Sequence, residues 1–173
     1  MFELRCISCG ESYSNDDVIF NCSCGGLLEV LFDINKISVK KRDLSKRPLG
    51  VWRYKEFLPI DPDDNIISLK EGGTPLYRGR NIGRMVGLTE LFIKNEGGNP
   101  TGSFKDRGMT VGVTKALHFG SKFVCCASTG NTSASLAAYA AKAGIKCIVL
   151  LPSGNIALGK LAQAILHGAL VVE

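Results

Sequence analysis

The sequence predicts a chain in two parts, a small cysteine-rich β unit followed by a parallel α/β layer. Three observations predict it. Four of the seven cysteines fall in the first 24 residues, as Cys6-x2-Cys9 and Cys22-x-Cys24. From residue 69 onward, apolar runs of strand length alternate with helical segments, the pattern of parallel strands covered on both faces. The composition is that of a globular chain: 173 residues, 45% hydrophobic and 21% charged, which excludes global disorder and is long enough for a real core.

Residues 1–34 read as strand, knuckle, strand, knuckle, strand. Phe2-Glu3-Leu4-Arg5 leads into the first cysteine pair, Val18-Ile19-Phe20 into the second, and residues 27–32 follow as a third strand. Residues 35–68 are polar and punctuated by Pro48, Pro59 and Pro62, an arm with little regular structure. Its basic run, residues 40–47, reads as a solvated face rather than a nucleic-acid patch. From residue 69 the expected order is a strand at 91–94, a helix at 103–118, a strand at 122–127, a helix at 131–142 closed by Gly144, a strand at 145–151 ended by Pro152, a helix at 156–167 and a strand starting at 170. A domain rarely stops as a strand begins, so a truncated chain is expected.

Net charge is +5, too mild for a nucleic-acid binder; residues 61–173 hold 12 Lys and Arg against 8 Asp and Glu, an excess suited to a small anion. The longest uncharged stretch, residues 123–141, is broken by Ser, Thr, Asn and Gly, so no membrane span is expected. The N-terminus shows no basic leader before an apolar run; a cytoplasmic location with reduced thiols is the expectation.

Three constellations carry chemistry. Cys6, Cys9, Cys22 and Cys24, each pair followed by glycine, form a donor set for a structural, tetrahedral Zn2+; the second pair is one residue short of the usual knuckle, and four metal-free thiols are the alternative. No His lies near, which argues against an open catalytic metal. The second is Asn99-Pro100-Thr101-Gly102-Ser103-Phe104-Lys105-Asp106-Arg107-Gly108. Ser103 and Asp106 have capping-box spacing, which puts Lys105 in the first turn of a helix, where the macrodipole disfavours an ammonium and favours a nucleophilic amine able to condense with an aldehyde. An exposed lysine paired with Asp106 or a phosphate is the other reading. The third, Ala127-Ser128-Thr129-Gly130-Asn131-Thr132-Ser133-Ala134, joins a strand to a helix and offers amides and hydroxyls to an anion; a well-capped turn is the alternative. Dinucleotide, P-loop, nucleophile-elbow and zinc-protease motifs are missing from the sequence, and Cys125 and Cys126 read as strand core.

Glu71-Gly72-Gly73-Thr74-Pro75-Leu76, residues 99–108 and residues 128–133 resemble the pyridoxal-phosphate enzymes of the tryptophan-synthase-β type. With the cysteine ribbon, the likeness is to the threonine synthase branch of that family, over essentially the whole chain. The resemblance implies a fold type II small lobe at residues 69–173, preceded by a zinc-ribbon-like unit at 1–34 and an arm at 35–68. In it, residues 51–67 begin the larger lobe and the C-terminal part is missing. It implies that Lys105 holds pyridoxal phosphate covalently and later shuttles protons, that Phe104 packs on the pyridine ring, and that Asn131 bonds the phenolic oxygen. Ser128, Thr129 and Thr132 would hold the substrate's anionic groups. The implied reaction turns O-phosphohomoserine and water into threonine and phosphate, with a phosphorylated amino acid as partner and a homodimer at full length. The family's phosphate loop and pyridine-nitrogen partner lie later in the chain, so the fragment is expected to be inactive alone. The alternatives are a paralogue (cysteate synthase or threonine dehydratase), a zinc-ribbon nucleic-acid-binding module, and a noncatalytic remnant.

Overall fold

The computed structural model describes residues 2–152 and 158–173, without the side chains of 158–160. The start of the helix expected at 156–167 therefore lies outside the described residues. The chain divides into two compact units, Met1–Pro48 with Arg53–Asp64, and Leu49–Trp52 with Asn65–Glu173.

The first unit is built on a three-stranded antiparallel sheet, in the order β2-β1-β3, from β1 (Phe2–Cys6), β2 (Ser12–Tyr13) and β3 (Leu28–Phe32). Phe2 pairs with Phe32 and Cys6 with Leu28, and the two Phe rings meet at 5.9 Å between centroids. The second strand in chain order is not Val18-Ile19-Phe20, as the sequence pattern suggests, but the two residues Ser12–Tyr13. Ile19 bonds back to Asp17 O at 3.1 Å, which holds that segment in a local turn and takes it out of any ladder, and Phe20 stays 86% exposed. The arm beyond the sheet is more regular than expected. It contains a 3-10 turn at Ile34–Lys36 capped by the Asp33 carboxylate, α1 (Lys41–Ser45) and 3-10 turns at Val51–Phe57. Pro48 forbids continuation of α1. Arg47 then donates twice to the Glu56 carboxylate, at 2.6 and 2.7 Å.

The second unit opens with an antiparallel pair, β4 (Leu76–Arg78) and β5 (Phe92–Lys94), enclosing the short α2 (Arg80–Met85). Next come α3 (Lys105–His118), β6 (Phe123–Ala127), α4 (Asn131–Ala143), β7 (Lys146–Leu150), α5 (Leu158–Leu166) and β8 (Leu170–Val172). The last three strands form a parallel sheet in the order β6-β7-β8. α4 is rich in alanine: Ala134, Ala137, Ala138 and Ala140 are buried, and their small side chains let the helix sit close to β6, β7, α3 and α5. It ends where Gly144 takes a left-handed φ of 71°, as the sequence requires of that position.

The sheet is covered on one face only among the described residues. Val124, Cys126, Cys147, Val149 and Val171 face the core, whereas Phe123, Cys125, Ala127, Leu150, Leu170 and Val172 are exposed. Strand order explains the difference from the expected two-sided cover. Two successive right-handed crossovers stepping in one direction, β6 to β7 to β8, put α4 and α5 on the same side.

A buried carboxylate ties the 65–71 segment into this unit. Glu71 is 1% exposed; it accepts from Tyr139 Oη at 2.7 Å, Trp52 Nε1 at 2.9 Å and the Leu69 amide at 2.9 Å. Burial, and then the Glu71 charge, push the Tyr139 phenol above its usual range, so it stays protonated and donates. Tyr139→Phe removes that donor while leaving the others. The expected loss is about 1–3 kcal/mol of unfolding free energy, read by urea denaturation.

Candidate functional site

The four N-terminal cysteines converge. Their sulfurs all lie within 4.8 Å of one another, with Cys6 Sγ to Cys24 Sγ at 3.6 Å and Cys9 Sγ to Cys22 Sγ at 3.4 Å. All are free thiols, and only Cys6 and Cys22 are buried. The backbone explains the approach. Gly10 and Gly25 turn at φ 79° and 82°, their amides bonding Cys6 O and Cys22 O at 3.0 and 2.8 Å. The short second pair is accommodated because Gly26 lacks a side chain: a Cβ there would stand 2.7 Å from Cys6 Sγ. Backbone amides aim at sulfur, with Ser8 N at 3.4 Å from Cys6 Sγ. The Cys9 backbone, foremost among several hydrogen bonds, draws the Cys6 thiol down to about 6. Tyr13 Oη sits 3.0 Å from Cys22 Sγ and is the first cause lowering that thiol. Four close sulfurs, two of them with donors that stabilise negative charge, fit a tetrahedral Zn2+.

The second constellation starts α3. Gly102, at φ 78°, closes a turn with its amide on Asn99 O at 2.8 Å, and Lys105 is the first helical residue. The capping box is not formed. Ser103 Oγ accepts from the Lys105 amide at 3.3 Å, but Asp106 reaches back past Ser103 to Thr101, taking its amide at 2.8 Å and its hydroxyl at 2.5 Å. Nor does Lys105 pair with Asp106; its Nζ lies 4.9 Å from the centre of the Phe104 ring, which is 56% exposed.

The third constellation starts α4. Gly130 precedes the helix, its amide bonding Ser128 Oγ at 3.2 Å, and Ser133 Oγ donates to Gly130 O at 2.8 Å. A cleft of about 460 Å³ opens at the carboxyl ends of β6 and β7, lined by Ala127, Ser128, Thr129, Leu150, Leu151 and Pro152. That is the ligand-binding edge of an open parallel sheet. Lys105, Phe104, Asn131 and Thr132 are not among the lining residues. Asn131 Oδ1 is buried without a hydrogen-bond partner among the described residues, as fits a side chain whose partner is a bound molecule. A hydrogen bond from Ser135 Oγ to Asp106 Oδ1 at 2.6 Å ties the turn bearing Lys105 to the helix bearing Asn131.

The sequence reading gave no role to the groups that fix the two glycine-containing motifs to each other. Glu96 accepts from Arg107 at 2.7 and 2.8 Å, Thr74 Oγ1 at 2.7 Å and Asn99 Nδ2 at 3.0 Å, and Asn99 Oδ1 accepts from the Gly72 amide at 2.9 Å. The one signal was that Glu96, just before the motif, and Arg107, within it, carry opposite charge. Arg107, foremost, holds the Glu96 carboxyl at about 2, below its ordinary 4.5. A carboxyl held low stabilises the fold above its unfolded value and loses that stabilisation as pH falls toward its folded one. Wild type should therefore be more stable than Glu96→Gln at pH 7, and the gap should close between about pH 4.5 and 2, as read from urea midpoints across pH.

Residues 67–173 match the family model described as pyridoxal-phosphate dependent enzyme. The chain is 60% identical over 171 residues to a threonine synthase of Methanocaldococcus jannaschii, covering 98% of this chain and 42% of that protein. It is 53% identical over 174 residues to a threonine synthase of Methanosarcina acetivorans, covering 100% of this chain and 42% of that protein. It therefore spans about two fifths of the length of these relatives. Among solved structures, a pyridoxal 5'-phosphate-dependent aspartate racemase matches with a TM-score of 0.54 and 32% identity, over 58% of this chain and 32% of the other. No helix among the described residues is long and apolar enough to cross a membrane.

Proposed function

Because the chain belongs to the pyridoxal-phosphate dependent enzyme family, we propose that it is the Lys105-bearing part of a threonine synthase, acting on O-phosphohomoserine and water to give threonine and phosphate. The observation that carries this reading is the pairing of two helix starts. Lys105 opens α3, Asn131 opens α4 with a buried amide oxygen that has no partner among the described residues, and a hydrogen bond joins the two helices about a turn from each start. The relatives' name, threonine synthase, supports the product, and the substrate is the one the resemblance implies.

Bound pyridoxal phosphate supplies an electron sink that stabilises negative charge on the substrate carbons. The chain's own residues do the rest. The Lys105 amine would hold the cofactor covalently and would carry protons between the substrate carbons. Phe104 offers a ring face for the pyridine, and Asn131 a polar group for the phenolic oxygen. Ser128, Thr129 and Thr132 offer hydroxyls and amides to the substrate's anionic groups at the end of β6. Overall, the carbon–oxygen bond to phosphate breaks and a water oxygen is added at the neighbouring carbon. We also propose that Cys6, Cys9, Cys22 and Cys24 hold one structural Zn2+, on the strength of their donor set and convergence.

The test is to incubate the chain with pyridoxal phosphate, reduce with borohydride and map the adduct by peptide mass. One pyridoxyl group on Lys105 is the expected result. Modification spread over exposed lysines, with none preferred, would overturn the reading. The substrate is tested by phosphate release from O-phosphohomoserine with threonine as the amino-acid product, assayed on the full-length protein.

A further inference from the structure

Asp106 is a buried carboxylate, 0% exposed, with no cation paired to it among the described residues. Burying such a charge is unfavourable unless donors surround it, and here three do. Oδ2 accepts the Thr101 amide at 2.8 Å; Oδ1 accepts the Thr101 hydroxyl at 2.5 Å and the Ser135 hydroxyl at 2.6 Å. Apolar packing could join two helices without a charge. What the carboxylate adds is direction: it fixes the turn before Lys105, the first turn of α3 and the first turns of α4 to a single group.

We propose that Asp106 and Ser135 are positioning residues that set where the Lys105 amine stands relative to the Asn131 amide; this rests on the cofactor-binding roles proposed above for those two. Lys105 and Asp106 are consecutive, so locking the Asp106 side chain fixes the helical phase at which Lys105 leaves α3. Asn131 and Ser135 are four apart and share a face of α4, so anchoring Ser135 fixes the axial position of Asn131. The sequence conceals this arrangement, because Asp106 follows Ser103 at capping spacing and Ser135 lies in an alanine-rich stretch that reads as packing.

Ser135→Ala removes the bond between the helices alone and leaves both Thr101 bonds. Asp106→Asn keeps the shape but has one acceptor oxygen for three donors, and its NH2 faces one of them. The experiment compares wild type, Ser135→Ala and Asp106→Asn by two readouts. The first needs no cofactor: amide hydrogen exchange should rise roughly fivefold or more in residues 101–106 and in the first turn of α4, with the last turn of α4 and the β7 amides at wild-type rates. A rise spread evenly over α3, α4 and the sheet means a merely structural bond, and no rise at all means no coupling; either overturns the proposal. The second is the rate at which Lys105 forms the borohydride-trapped pyridoxyl adduct, expected to drop on the order of tenfold in Ser135→Ala. An unchanged rate beside a good wild-type adduct also overturns it. If wild type forms no adduct at Lys105, the cofactor reading fails, and the exchange pattern still decides whether Asp106 sets the geometry of the two turns.

Discussion

Lys105→Ala is expected to abolish the trapped pyridoxyl adduct and to lower threonine formation by the full-length protein by at least about 10²–10⁴-fold. That range is typical for loss of a positioned proton-transfer group alone, before loss of the covalent attachment. The position of the amine is why. Lys105 begins α3, with the amide ends of the first turn and their partial positive charge beside it, and its Nζ lies over the Phe104 ring, in no ion pair among the described residues. A lysine meant only for solubility gains nothing from that site. Pyridoxal phosphate also labels exposed lysines, so Lys142→Ala, in the last turn of α4, serves as the comparison and should leave the Lys105 adduct intact. If Lys105→Ala retains both the single adduct and turnover, another lysine holds the cofactor and the proposed assignment is wrong. The chain should remain folded, because the groups around Asp106 involve the carboxylate, Thr101 and Ser135 and not the lysine amine.

Much of this architecture was legible in the residues. The order strand, helix, strand, helix, strand from 122 onward followed from apolar runs and from the left-handed glycine after α4, and it appears as β6 to β8. The cysteine spacing foretold the cluster, and the glycines after each pair foretold its turns. What was not legible depended on partners distant in the chain. β4 is a three-residue strand whose mate comes after α2, and so short a pairing leaves no period to read. Phe123, Cys125 and Leu150 are as apolar as the residues facing the core, so pattern alone could not tell the exposed face from the buried one; the handedness of the crossovers decides that. Asp106 failed for a related reason. Local chemistry offered it a cap, and the tertiary structure offered it Thr101 and Ser135, a more fully satisfied set of donors. Glu96 and Arg107 likewise look like two surface charges until the turn between them brings them together.

Removing metal with a strong chelator is expected to unfold the first unit and spare the second. Among the described residues of that unit, only Cys6 and Cys22 are buried, and both are proposed ligands. Three strands of five, two and five residues have almost no apolar core to hold them once the sulfurs are free to part. Structural Zn2+ in comparable cysteine sites binds with an apparent free energy of about 10–16 kcal/mol near pH 7, enough to supply folding that the sheet cannot supply itself. Chelation, or Cys6→Ser, should therefore erase the slow amide exchange of the β1–β3 ladder, while β7 and α4, packed around Val149 and Tyr139, keep theirs. One zinc per chain should be lost in step with it, measured by atomic emission. Acid should act as the chelator does, since metal binding needs the thiolates and protons compete for them. A metal-free chain that kept the β1–β3 protection would mean that the four thiols pack as hydrophobes and that their convergence has no ion behind it. The hydrogen bonds already aimed at Cys6 and Cys22 argue otherwise, since donors gather around sulfur where the sulfur carries charge.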